Sequence, residues 1–134
     1  MQLETQIADF MAGDTFAVAG ASSNRGKYGN MVLRCYLQNG HTAIPINPKA
    51  DAVEGIAAVK SLSEIDPVPH GLSIITPPAV TEKIVAEAIE LGVQHIWMQP
   101  GAESEAAIAA CKEAGVNLIS GGPCLLVVLG FRDV

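Results

Sequence analysis

The chain has 134 residues, a one-domain length at which roughly two thirds of the unfolded surface is buried on folding. Hydrophobic residues make up 49% and charged residues 16%, which excludes a disordered chain and suits a sheet covered on both faces. A formal net charge of −6 disfavours a nucleic-acid or anionic-membrane surface, and aromatics at 4% leave little for stacking on single-stranded nucleic acid.

No apolar run reaches the length of about 20 residues that spans a bilayer. The amino-terminal MQLETQIADFM carries acids and no basic residue, unlike a signal or transit peptide. Cys35, Cys111 and Cys124 are odd in number and lack CxxC or Cys/His spacing, so a reduced, cytoplasmic chain without a structural disulfide or a metal site is expected.

Leu3, Ile7, Phe10 and Met11 share a face, which predicts a short helix over 3–12 packing outside the sheet and ended by Gly13-Asp14. The run Phe16-Ala17-Val18-Ala19 lies in a first strand over 15–20 that leads into Gly20 and a loop with Gly26 and Gly29. A helix from Tyr28 or Gly29 to Gln38 follows, with Met31, Val32, Cys35 and Tyr36 on one face and Asn39-Gly40 as its stop. The second strand, 41–48, contains Pro45, which lacks an N–H and belongs near the end of a strand or in a short one. Residues 50–60 read as an irregular connection. Ser61 to Glu64 has capping-box spacing and predicts a single helical turn.

A third buried strand spans 71–76. Pro77-Pro78 then precede a helix over 79–91, with Val80, Ile84, Val85, Ala88 and Leu91 on its apolar face and Gly92 as its end. The fourth strand, 94–99, runs into Pro100-Gly101 and a helix that Gly115 stops. The fifth, 116–120, runs into Gly121-Gly122-Pro123-Cys124. An apolar tail, 125–129, packs on the edge and is a candidate contact for a homodimer or another protein. Strands alternating with helices specify an α/β fold, a Rossmann-like doubly wound five-stranded parallel sheet in three αβα layers with right-handed crossovers, as a single domain over 1–134. Ligands of such sheets bind off the carboxyl ends of the strands, where the strand order reverses. The loops gathered there are Gly20-Ala21-Ser22-Ser23, Asn47-Pro48, Thr76-Pro77-Pro78, Gln99-Pro100-Gly101 and Gly121-Gly122-Pro123-Cys124.

The first loop departs from the dinucleotide fingerprint, because Ser22 stands where GxGxxG has its second glycine. Ser22 and Ser23 can offer hydroxyls to a phosphate beside the N–H groups at the start of the helix. Arg25 and Lys27 in that loop, with Lys49 in the next, concentrate cations at the carboxyl edge of an acidic chain, which suits a polyanionic ligand. An NAD site usually has Asp or Glu at the end of the second strand for the ribose diol. Here that strand ends Ile46-Asn47-Pro48-Lys49, which suits a phosphorylated ribose and leaves NADP and coenzyme A both open. No catalytic constellation emerges. His41, His70 and His95 read as surface or core residues, Trp97 as core, and Glu103 and Glu105 as complements to a helix dipole. Cys124 reads as a small apolar residue, with a thioester-directed nucleophile as the alternative.

The succession Val18-Ala19-Gly20-Ala21-Ser22 with Tyr28-Gly29, Ile44-Pro45-Ile46-Asn47-Pro48, Thr76-Pro77-Pro78, Ile96-Trp97-Met98-Gln99-Pro100-Gly101 and Gly122-Pro123-Cys124 resembles the small stand-alone CoA-binding proteins. More distantly, it is similar to the CoA-binding domain of the succinyl-CoA synthetase alpha subunit. The resemblance covers roughly residues 10 to 128 and implies a Rossmann-like domain that binds coenzyme A or an acyl-CoA at the carboxyl edge without its own catalysis. It implies that Gly20, Ala21 and Ser22 with Arg25 hold the pyrophosphate, and that Tyr28 and Gly29 line that turn. Asn47, Pro48 and Lys49 would flank the adenosine 3′-phosphate. Thr76, Pro77 and Pro78 would wall the adenine or ribose side, and Gln99, Pro100 and Gly101 would lie towards the pantetheine arm. The synthetase subunit has a second domain with a phosphorylated histidine, for which a chain ending at Val134 leaves no room, so ligase activity is not expected. The apolar run 125–130 departs from relatives with a more polar ending.

Overall fold

Strands that are apolar on both sides need two covering layers, and the computed structural model supplies them. It describes residues 2–134; Met1, the first residue of the expected domain, lies outside them. In chain order the elements are α1 (Leu3–Met11), β1 (Thr15–Ala19), α2 (Tyr28–Gln38), β2 (Thr42–Ile46), β3 (Ala52–Val53), β4 (Ile56–Ala57), a 3₁₀ turn (Leu62–Glu64), β5 (Gly71–Ile74), α3 (Pro78–Leu91), β6 (His95–Met98), α4 (Glu105–Ala114), β7 (Asn117–Ile119) and α5 (Leu125–Leu129). Five strands form one parallel sheet in the order β2-β1-β5-β6-β7. This is the doubly wound α/β architecture expected from the sequence. The order reverses between β1 and β5, the switch point at which ligands of such sheets bind.

Alternation along each strand divides the core. Ala17, Ala19, Leu72, Ile74, Ile96 and Met98 face α3 and α4. Phe16, Val18 and Trp97 face the opposite layer with Phe10 of α1, Tyr36 of α2 and Leu125 of α5. On that side the Phe16 ring stacks on Phe10 and Tyr36 at centroid distances of 5.5 and 4.9 Å, and Trp97 meets Phe10 edge-on. Gly71 makes room for this cluster, because a Cβ there would lie 2.8 Å from Phe10 Cζ. Trp97 is core, as expected, and its indole N–H also donates to the Pro123 carbonyl, which ties down the last loop.

Four expectations need correction. Residues 50–60 are not irregular: Ala52–Val53 and Ile56–Ala57 pair as an antiparallel hairpin, and Val59 extends the outer edge of β2 by a parallel bridge to Ile46. The Val59 N–H donates to the Pro45 carbonyl, so Pro45 sits within β2 on its outer, non-sheet side, where no ladder bond needs its missing N–H. Met31 is only half-buried whereas Leu33 and Arg34 are buried, because α5 and residues 131–133 cover a second flank of α2. The tail 125–129 is a short helix with Leu125 fully buried rather than a strip on the edge, although Val127 stays 80% exposed. On α3 the buried residues are Thr81, Val85 and Ala88; Val80 is exposed and Ile84 half-buried, because the amino-terminal half of the helix overhangs an open cavity. Among the described residues no helix is long and apolar enough to cross a membrane.

Candidate functional site

At the switch point the chain brings backbone against backbone. Gly20 has φ +91°, and a Cβ on it would lie 2.1 Å from the Ile75 carbonyl oxygen. A Cβ on Gly29 would lie 1.9 Å from the Gly20 carbonyl oxygen. A side chain at Gly29 would push α2 off the end of β1, and one at Gly20 would push the end of β1 away from the residues that follow β5. Lys27 is the N-cap of α2 and no side chain caps the helix, so its first N–H groups face the loop with the positive end of the dipole. The loop is internally braced: the Asn24 N–H donates to Ser22 Oγ, the Gly26 N–H to Asn24 Oδ1, and Asn30 Nδ2 to the Ser22 carbonyl.

A cavity of about 360 Å³ opens beside this turn. Its floor is Ala19, Gly20, Ala21 and Ile46 at the carboxyl ends of β1 and β2. Its walls are Pro48, Lys60, Ser61 and Leu62 on one side and Thr76, Val80, Ile84 and Glu87 on the other. A second cavity of about 260 Å³ lies between Ile75-Thr76-Pro77 and Pro100-Gly101-Ala102, with Thr76 common to both. Of the residues singled out from the sequence, Gly20, Ala21, Pro48 and Thr76 line the first cavity, and Thr76, Pro77, Pro100 and Gly101 line the second.

The others stand behind or beside these walls. Asn47 is spent on positioning: its Nδ2 donates to the Ala21 carbonyl at 2.9 Å, and the N–H groups of Lys49 and Ala50 donate to its Oδ1. The end of β2 is thereby sewn to the first loop, and the Lys49 side chain is left in solvent. Arg25 turns towards the carboxyl-terminal segment, donating to the Val134 carbonyl at 2.8 Å, with Glu54 3.8 Å away. Pro78 opens α3, where an N–H is dispensable. Tyr28, Gln99 and Cys124 form a separate group, in which the Tyr28 hydroxyl contacts Cys124 Sγ and donates to Gln99 Oε1, which also accepts the Leu125 N–H. Gln99 is fully buried, and its Nε2 has no hydrogen-bond partner among the described residues.

Burial, then the hydrogen bond with Cys124, holds the Tyr28 phenol well above its ordinary pKa. Burial, with the Cys124 thiol adding to it, pushes Cys35 up to about 11. The histidines serve packing: His70 stacks on His95, whose Nδ1 meets Asn117 Nδ2, and His41 lies edge-on to Phe16 and Tyr36. Cys35, Cys111 and Cys124 are free thiols.

Sequence reasoning missed Lys60, Ser61, Leu62 and Glu87. The first three fell in or beside the segment read as irregular. Val80, Ile84 and Glu87 recur at i, i+4 and i+7, so the stripe that was read as core carried the signal of a cavity wall.

Residues 14–130 match the family model described as "CoA binding domain". The chain is 30% identical over 103 residues to Uncharacterized protein YneT of Bacillus subtilis (strain 168), covering 77% of this chain and 76% of that one. It is 31% identical over 78 residues to the ADP-forming acetate–CoA ligase of Methanocaldococcus jannaschii, covering 58% of this chain and only 11% of the ligase. A conserved hypothetical protein from Pyrococcus furiosus superposes with a TM-score of 0.82 at 35% identity, covering 87% of this chain and 99% of that one. With the cavity at its switch point and a family match over residues 14–130, the chain belongs to the CoA binding domain family.

Proposed function

We propose that the chain binds coenzyme A or an acyl-CoA across the carboxyl edge of its sheet and carries out no chemistry of its own, acting in the cytoplasm as a carrier, sensor or regulatory module. The observation that carries this reading is the cavity at the switch point, flanked by the uncapped amino end of α2, in a chain of this family. In this reading the pyrophosphate lies on Gly20, Ala21 and Ser22 at the start of α2, with Tyr28 and Gly29 behind it. Arg25 swings in from its exposed contacts to reach it. Asn47, Pro48 and Lys49 flank the phosphorylated ribose. Thr76, Pro77 and Pro78 wall the adenosine, and Gln99, Pro100 and Gly101 lead the pantetheine arm towards Cys124. The whole chain, 1–134, acts as one domain, a reading supported by α1, whose Gln6 exchanges hydrogen bonds with Leu118 and Asn117 of β7.

The absence of an acid at the end of β2 supports a phosphorylated ribose and therefore leaves NADP as the competing ligand. The Tyr28 hydroxyl that contacts Cys124 Sγ is held above its ordinary pKa by burial and by that hydrogen bond, so a neutral phenol lies beside the thiol. Alkylation of Cys124 by iodoacetamide, followed by mass spectrometry, tests the direction of the pantetheine arm. Saturating CoA slows the modification in this reading, and an unchanged rate contradicts it. Turnover of an acyl-CoA that is lost in Cys124→Ser would contradict the non-catalytic assignment.

A further inference from the structure

Among the described residues that line the larger cavity, Lys60 is the only cation. Lys60 belongs to a segment, continued on the same wall by Ser61 and Leu62, that lies outside the strand–turn–helix units. Val59 extends the outer edge of β2, with its N–H on the Pro45 carbonyl and its carbonyl accepting the Asn47 N–H at 2.9 Å. The next two N–H groups, of Lys60 and Ser61, both donate to Glu64 Oε2, at 2.6 and 3.0 Å. The main chain of Lys60 is therefore held on both sides, and its position on the wall does not depend on a ligand.

The side chain reaches across the turn that follows β2. Its Nζ lies 3.5 Å from the Ala50 carbonyl and 3.7 Å from Asp51 Oδ1. Asp51 is wholly exposed, so this ion pair holds the ammonium only weakly. In doubly wound sheets the end of the second strand is where the ribose hydroxyls of a nucleotide lie. That strand ends here in Asn47, whose amide is spent on the main chain, and Pro48, whose ring lines the cavity. The loop cations singled out from the sequence stand elsewhere: Arg25 is drawn to Val134 and Glu54, and the Lys49 side chain points to solvent.

We infer that Lys60 is the specificity-determining residue for the ribose 3′-phosphate, the group that separates coenzyme A from its dephospho form. The inference rests on the CoA reading above and adds to it the residue that selects the phosphorylated ribose. On binding, the ammonium exchanges Asp51 and the Ala50 carbonyl for a dianionic phosphate in a charge-assisted hydrogen bond. The amino end of α2, over β1, keeps the pyrophosphate. The two phosphate loci are thus read by different elements, and a change at Lys60 acts on one of them alone.

The test is calorimetric titration of wild type, Lys60→Ala, Lys60→Arg and Lys49→Ala with CoA and with dephospho-CoA. Wild type prefers CoA. Lys60→Ala loses about tenfold in affinity for CoA and little for dephospho-CoA, so that the preference collapses. Lys60→Arg retains most of the preference, and Lys49→Ala retains more of it than Lys60→Ala. Equal losses for both ligands, no loss for CoA, or a preference that collapses in Lys49→Ala but survives in Lys60→Ala overturns the inference while leaving CoA binding intact. Failure of wild type to bind either ligand overturns the underlying reading and the inference with it. The half-exposed Lys60 side chain makes folding of the variants straightforward to verify by urea denaturation.

Discussion

Replacing Gly29 by alanine probes the close approach of α2 to the end of β1, where the proposed pyrophosphate would lie. The added methyl would sit 1.9 Å from the Gly20 carbonyl oxygen, 2.9 Å from its carbonyl carbon and 3.3 Å from Ala21 Cα. All three neighbours are main chain, so no side chain can rotate away. Restoring an ordinary contact requires the amino end of α2 and the end of β1 to separate by about 1–1.5 Å. Asn30 Nδ2 on the Ser22 carbonyl and Tyr28 on Gln99 and Cys124 resist that movement. Overpacking of this kind costs about 1–3 kcal/mol, and the rigid neighbours put this case in the upper part of that range. The same displacement moves the α2 N–H groups off a bound pyrophosphate, with an expected loss of about 10–100-fold in CoA affinity. Gly26→Ala, in the same loop, is the control. Its Cβ would meet only Asn24 Oδ1, at 3.3 Å, which need shift by only a few tenths of an ångström while still accepting the Gly26 N–H, and stability is expected to change by less than about 1 kcal/mol. Urea denaturation and calorimetry on both variants read the two effects. Wild-type stability and wild-type CoA affinity in Gly29→Ala would refute the close-approach reasoning.

Three further outcomes follow from the geometry. Arg25→Ala leaves stability within about 0.5 kcal/mol of wild type, because the side chain is largely exposed, but weakens CoA roughly tenfold and makes binding less salt-dependent; an unchanged affinity removes Arg25 from the site. Tyr36→Phe strands the buried Ser73 hydroxyl, 2.6 Å away in the native protein, at about 1–3 kcal/mol, and adding Ser73→Ala destabilises by less than the sum of the singles; additive effects would mean that the pair is not coupled. His95 titrates below its ordinary pKa, chiefly by burial and secondarily by the neighbouring His70. The unfolded chain therefore takes up that proton first as pH falls. The stability tied to neutral His95 is present above about pH 6.5 and declines between there and the lower folded pKa. His95→Gln should flatten that part of the stability–pH profile measured by urea midpoints, and an unchanged slope would refute the assignment.

The sheet was legible because its strands are continuous apolar runs closed by glycine or proline, and the parallel order follows from helices between them. The capping box at Ser61 and Glu64 was legible too, since its spacing defines both hydrogen bonds. Less legible was whatever depended on which flank of an element another element covers. Val80 and Ile84 have the hydropathy of core residues, and only the overhang of α3 turns them into a cavity wall. The hairpin over 52–57 is built from two-residue strands, too short for periodicity to register. It brings Glu54 to Arg25 and Asn30, a pairing that spacing could not anticipate. Asn47 was singled out from the sequence, but only the structure reveals that its hydrogen bonds go to main chain. Charge counting singled out Arg25, Lys27 and Lys49 because they lie in the first two loops at the carboxyl edge, whereas the cation on the cavity wall arrives from Lys60.

The central claim is that the cavity at the switch point takes coenzyme A, and side-by-side calorimetry with CoA and NADP tests it most directly. The account predicts saturable one-to-one binding of CoA and no comparable heat from NADP. Binding of NADP with none of CoA at millimolar ligand would contradict it.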